Sequence, residues 1–186
     1  MVHIIPKSGF ARTYLIEEDK NIMAVDVGSI GAAREIEVYC ADVLKSSTRA
    51  IRCIAATHFH TDHIGGIGSL LRTCPSDTRV MFHPLVRGYL AGTRELPPMK
   101  NWISGLLPTV VACLHNLKRP ADLTAETISG IPVIGMRGLS RLPYASNISY
   151  FDAGLLPRYS LGFGAWEVIL TPGHTEDSVS FYNDVT

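Results

Sequence analysis

The sequence predicts an α/β protein, and three observations predict it. Two short β-rich runs open the chain, an amphipathic segment of helical period follows them, and the next strand-length run, "RCIAAT", is apolar almost throughout. A strand of that kind is buried on both faces of a sheet, so helices are expected to cover both faces of the sheet material.

Each element has its own signal. "ARTYLIEE" and "NIMAVDVG" flank Asp19-Lys20, which reads as a hairpin with a polar turn. Gly28 and Gly31 then break the strand pattern. From Ala32 to Leu44 the apolar residues Ile36, Val38, Tyr39, Val43 and Leu44 recur at helical spacing, with Arg34, Glu35, Glu37 and Asp42 between them. After "RCIAAT" comes a polar cluster and then "IGGIGSLLR", a glycine-rich helical start for which Thr61 or Asp62 is the expected N-cap. "RVMFHP" is the next strand, closed by Pro84.

Residues 84–160 read as a variable helical insertion or lid. Trp102, Leu106 and Val110 belong to an apolar helical period that runs across Pro108, giving two short helices or one kinked helix that hoods the domain or fills its core. Order returns in "AWEVILTPGHTEDSVSFYND" as a strand to Leu170, a Thr-Pro-Gly-His turn and a second strand from Ser178 to Tyr182.

The 186 residues suit one domain, 1–186, and the composition, 46% hydrophobic and 18% charged, is that of a globular protein. Lys+Arg and Asp+Glu both number 17, so no net charge draws the chain to phosphate backbones or anionic lipid. Nucleic acid and membrane are therefore not expected partners, and a nuclease is disfavoured. The N-terminal stretch has no basic region followed by a long apolar one, which favours a cytoplasmic address. The four cysteines, Cys40, Cys53, Cys74 and Cys113, are widely spaced and read as reduced thiols.

The chemistry lies in "AATHFHTDHIGG", residues 55–66. His58 and His60 alternate along an extended stretch and project to one side with Phe59 facing away, and the turn that follows brings Asp62 and His63 round beside them. Without a cation this would desolvate several polar groups with nothing to satisfy them. Imidazoles with a carboxylate suit zinc and also iron, whereas magnesium and calcium prefer more oxygen. His3, His83 and His115 stand alone and read as ordinary core or surface histidines.

His58-Phe59-His60-Thr61-Asp62-His63 followed by Gly65-Gly66 resembles the His-x-His-x-Asp-His signature of the metallo-β-lactamase superfamily, and "TPGHTEDSVSFY" is similar to that family's next motif. The resemblance implies an αββα sandwich with its metal centre at one edge of two packed sheets. It implies that His58, His60 and His174 hold a first metal, that Asp62 and His63 contribute to a second, and that Asp26, in the place of the family's Asp-x-Gly, orients a ligand or simply ends a strand. Two further family ligands, a bridging aspartate in a Gly-Asp context and a final histidine, are not found before Thr186. A chain truncated at its C-terminus, a split gene product and a degenerate form are all compatible with that.

The function expected is a metal-dependent hydrolase in which a metal-activated water attacks an ester, thioester, lactone, amide or phosphoester of a small molecule, with Asp62 as the catalytic carboxylate. One or two zinc ions are the expected cofactor, with iron as the alternative. An iron-dependent enzyme of the persulfide dioxygenase kind on the same scaffold, and a non-catalytic metal-binding fragment, are the competing readings. A β-lactamase proper is disfavoured because such enzymes are exported. Homo-oligomerisation is left open.

Overall fold

The computed structural model describes residues 1–96, 122–127, 142–151, 158–160 and 163–184. The hood segment around Trp102, Leu106 and Val110, together with Cys113 and His115, lies outside the described residues.

Six strands form the main sheet in the order β1 (Val2–Ile4), β2 (Tyr14–Glu18), β3 (Asn21–Val25), β4 (Ile51–Ala55), β5 (Arg79–Phe82) and β6 (Ile148–Tyr150). The expected hairpin is β2 and β3, paired from Tyr14↔Val25 to Glu18↔Asn21. Its two turn residues, Asp19 and Lys20, have φ of 48° and 65°, the left-handed pair that matches strand twist. From β3 onward the pairing is parallel. β6 comes from inside the stretch read as an insertion, and Leu142 and Tyr144 just before it are buried in the core.

The buried residues of the central strands alternate between two cores, as the period of a strand dictates. Leu15, Ile22, Ala24, Ile54, Val80 and Phe82 face the helices, while Ile16, Met23, Cys53, Ala55 and Met81 face a second sheet. That sheet is antiparallel, in the order β7 (Arg158–Ser160), β8 (Glu167–Leu170) and β9 (Val179–Tyr182), and it brings Trp166, Val168 and Val179 against the first. Helices therefore cover one face of the main sheet and a second sheet covers the other. Two-sided burial of this kind is what makes the central strands so apolar.

On the helical face, α1 (Ile30–Asp42) begins where Ser29 Oγ accepts the Ala32 N–H at 3.0 Å. It turns Ala32, Ala33, Ile36 and Cys40 inward. The single glycine-rich helix expected after the histidine cluster is two short ones, α2 (Thr61–Ile64) and α3 (Ile67–Leu71). Thr61 and Asp62 lie inside α2, His60 and Gly66 hold the two N-cap positions, and neither helix has a side-chain cap. The break falls at Gly65-Gly66 because the backbone there passes against its neighbours: a β-carbon on Gly66 would sit 2.0 Å from the Ser29 carbonyl oxygen. The fourth helix, α4 (Val86–Ala91), ends at Gly92 in the left-handed region, with φ of 68°.

Cys40 and Cys53 are buried free thiols, and Cys74 is half-buried and free. Among the described residues, no helix is long and apolar enough to cross a membrane.

Candidate metal centre

The parallel strands β3, β4 and β5 all end at the same edge of the sheet, and the cluster is built on the turns that leave it. Val25 closes β3, and Asp26 follows with φ of 59°, a left-handed conformation that Asp tolerates better than most residues. Beyond Ala55 the chain does not stay extended, as the sequence suggested, but bends through Thr57, His58 and Phe59 before His60, itself extended, leads into α2. Phe59 points into the apolar core against Phe82 and Tyr89, which leaves His58 and His60 on the other side of the backbone.

The second sheet supplies His174. It sits in the turn between β8 and β9, and the hairpin is joined to the first sheet where the Val179 N–H donates to the Thr57 carbonyl at 2.9 Å. The site thus lies on the seam between the sheets.

Three imidazole nitrogens converge there. His60 Nδ1 lies 3.1 Å from His58 Nε2 and 3.1 Å from His174 Nε2. Ligand atoms from all three residues fall within 4.8 Å of one another. His63 joins on the inner side, its ring centroid 3.9 Å from that of His58. Asp62 is less tightly held: Oδ2 is 3.7 Å from His63 Nε2, and Oδ1 is shielded from solvent with no hydrogen bond among the described residues.

Thr57 and Asp26 organise the imidazoles from behind. Asp26 Oδ1 accepts the Thr57 N–H and Oδ2 accepts the Thr57 hydroxyl, both at 2.8 Å. His63 Nδ1 is 2.9 Å from the same Oδ2, and His58 Nδ1 is 3.1 Å from Thr57 Oγ1. A carboxylate only accepts, and the one hydroxyl proton of Thr57 is spent on it, so both histidines carry their proton on Nδ1. The Nε2 lone pair of His58 is then free to bind a cation, whereas at His63 a cation would take the place of the Nε2 proton.

Electrostatics favour the same state at His58. Burial, and after it the proximity of His63, His60 and His174, push its pKa down to about 2, so the ring is neutral and ligand-ready. For His63 burial works downward, but the charge and hydrogen bond of Asp26, with Asp62 and Asp177 behind it, raise the value overall.

The residues fit a cation. Tetrahedral zinc with Zn–N bonds of about 2.0–2.1 Å has ligand-to-ligand edges of about 3.3 Å, close to the spacings around His60 Nδ1. The orphaned Asp62 Oδ1 is the kind of buried oxygen that an ion or an ordered water satisfies. The other described histidines are engaged elsewhere: His3 contacts the Tyr39 hydroxyl at 3.2 Å, and His83 Nδ1 accepts the Leu85 N–H at 3.1 Å.

Glycines let the turns meet. A β-carbon on Gly28 would stand 1.7 Å from the Asp62 carbonyl oxygen, so the Asp26–Ser29 turn and α2 touch backbone to backbone. Two contributors escape a reading of the sequence. Thr57 looks like an ordinary strand-end residue, and the buried carboxylate of Asp177 looks like part of a polar turn. The Thr directly before the first histidine was the one available signal.

The described residues thus form a helical layer on two sheets, with a triple-histidine cluster at their seam that could hold a metal ion. The family model of the metallo-beta-lactamase superfamily matches residues 9–83, which contain Asp26 and the whole of the first histidine motif. Over those residues the chain is similar to that superfamily. Solved structures agree in fold. A metallo-beta-lactamase from Cronobacter sakazakii, a HARLDQ motif mutant, is 18% identical with a TM-score of 0.55, the match covering 97% of this chain and 55% of that one. The metallo-beta-lactamase SMB-1, in a complex with mercaptoacetic acid, is 18% identical with a TM-score of 0.59 and coverages of 97% and 54%. FEZ-1 from Legionella gormanii is 14% identical with a TM-score of 0.55 and coverages of 97% and 53%. The chain thus spans about 55% of the length of these structures. A search of curated protein sequences finds no match to it.

Proposed function

We propose that this protein is a metal-dependent hydrolase that uses water to cleave an ester, thioester, lactone, amide or phosphoester of a small molecule. The observation that carries the reading is the convergence of His58 Nε2, His60 Nδ1 and His174 Nε2 beside a carboxylate oxygen, Asp62 Oδ1, that has no hydrogen-bond partner among the described residues. A divalent ion held there lowers the pKa of water toward neutrality and polarises a carbonyl or phosphoryl oxygen. The three histidines hold it as neutral donors. Asp62 and His63 Nε2 face the same space and would hold a second ion, or Asp62 Oδ1 takes a hydrogen bond from the attacking water and aims it. Asp26 and Thr57 keep the His58 and His63 tautomers fixed throughout. Zinc is the metal proposed, and metal analysis of protein purified from its host separates it from iron and so from oxygen chemistry on persulfides.

The test pairs metal content with turnover. The purified chain is expected to bind about one equivalent of zinc tightly, as a three-imidazole tetrahedral site does, and to hydrolyse members of an ester, thioester and lactone panel in a chelator-sensitive way. His58→Ala and His174→Ala should lower the stoichiometry and His83→Ala should not. Tight zinc binding with no turnover would favour a non-catalytic metal-binding role, and equal loss of metal from all three variants would remove the assignment.

A further inference from the structure

Asp177 lies three residues beyond His174 and is only 1% exposed. Its Oδ2 accepts the Phe59 N–H at 2.8 Å, a contact between residues 118 apart in sequence. Phe59 stands between His58 and His60, and its ring is fixed in the core by Phe82 and Tyr89. Asp177 Oδ1 is sealed from solvent with no hydrogen bond among the described residues. Burying a carboxylate in this way costs stability.

The turn itself does not need it. Gly173 N–H donates to the Thr175 carbonyl at 3.1 Å, the Thr175 N–H donates to Ser178 Oγ at 3.2 Å, and the two hydroxyls of Thr175 and Ser178 are 2.7 Å apart. The Val179–Thr57 hydrogen bond secures the start of β9 but not the tip that carries His174. The Arg94–Glu176 ion pair at the same tip is exposed on both sides, and pairs of that kind hold little. What ties the tip to the backbone between the other two histidines is the Asp177 carboxylate.

We propose that Asp177 is a positioning residue for the candidate metal centre: by taking the Phe59 N–H it holds the His174 turn in register with His58 and His60, so that three imidazole nitrogens from two sheets meet at one point. The proposal rests on the metal-binding reading above. Its mechanism is reach and direction. An acceptor oxygen at the length of an aspartate side chain suffices, and the negative charge is incidental.

Zinc affinity, by competition with a chelating dye, and the absorption spectrum of the cobalt(II)-loaded protein are compared for wild type, Asp177→Asn, Asp177→Glu and Asp177→Ala, with amide hydrogen exchange at Phe59 in the metal-free proteins. Asn offers an oxygen at the same reach and should stay within about threefold of wild type, whereas Glu and Ala should lose about 10–100-fold in affinity and shift the cobalt spectrum, the scale typical of groups that orient ligands. Phe59 exchange should be slow in wild type and Asn and faster in Glu. If Ala does not fold, Asn against Glu decides. Wild-type affinity in all variants overturns the proposal, and so does loss in Asn with retention in Glu, which would make charge the agent. A wild-type chain that binds no zinc overturns the metal reading and this proposal with it, and is recognised without any variant.

Discussion

Asp26 Oδ2 stands 2.9 Å from Nδ1 of His63, and the two residues come from turns that leave adjacent parallel strands. The contact orients an imidazole and also sets which nitrogen carries its proton. Asp26→Asn tests this with little change of shape, since Asn also tolerates the left-handed backbone at that position. The amide N–H2 then faces His63 Nδ1, which must accept, and the proton moves to Nε2. Metal held through His63 should weaken by about 10–100-fold while the fold persists. Calorimetric titration with zinc, beside a circular dichroism melt, measures both.

Thr57→Val removes the hydroxyl that lies 3.1 Å from His58 Nδ1 while keeping the branched shape. It also leaves Asp26 Oδ2 without one of its donors. Zinc affinity should fall about tenfold, at the low end of the range for groups behind a ligand, and Thr57→Ser should restore it. Equal affinity for the Val and Ser variants would mean that the hydroxyl does not hold the ring.

The metal-free protein should be most stable near pH 6.5. His58 is pushed from 6.5 to about 2 by burial and its histidine neighbours, so between those values the unfolded chain binds a proton that the folded one refuses, and stability falls as pH drops below 6.5. His83, lowered by burial, adds in the same direction. His63 is raised, so its contribution is full below 6.5 and is lost as pH rises through its folded value. Each proton changes stability by at most roughly 1.4 kcal/mol per pH unit. Urea midpoints of chelator-treated protein from pH 5 to 8.5 should trace the two limbs, with His58→Gln flattening the acid side and His63→Gln the alkaline side.

Gly28→Ala should disrupt the site from a position that bears no ligand. The added methyl would lie 1.7 Å from the Asp62 carbonyl oxygen, and backbone on both sides must move. A loss of about 1–3 kcal/mol or more is expected, with Asp62 displaced. Gly173→Ala, one residue before His174, meets nothing within 4 Å among the described residues and should be tolerated. Thermal melts of the pair make the comparison.

The histidine cluster was legible because its signals are local. His58, His60, Asp62 and His63 fall within six positions, so even a chain that bends at 57–59 keeps them together, with Asp62 and His63 in the first turn of α2. The β2–β3 hairpin was legible for the same reason, through a two-residue turn. What escaped depends on distant contacts. Asp177 gains its meaning from Phe59, 118 residues away, and Thr57 from Asp26, 31 residues away. The break between α2 and α3 is imposed by the approach of the Ser29 backbone, which no helical period can register. β6, three residues long, was hidden in a stretch read as an insertion because so short a strand has almost no pattern of its own.

His60 and His174 touch across 114 residues of sequence, whereas His58 and His60 are neighbours but one. An ion held by all three is a removable crosslink between the two ends of a long loop. Unlike a covalent tie, the ion would leave when the chain unfolds, so it would stabilise the fold only through its affinity for the assembled site. On refolding, the His58–His60 pair would meet an ion first, and His174 would join it only once the β8–β9 hairpin has docked. Chelation would cut that tie and let the two sheets part first along the line where they meet.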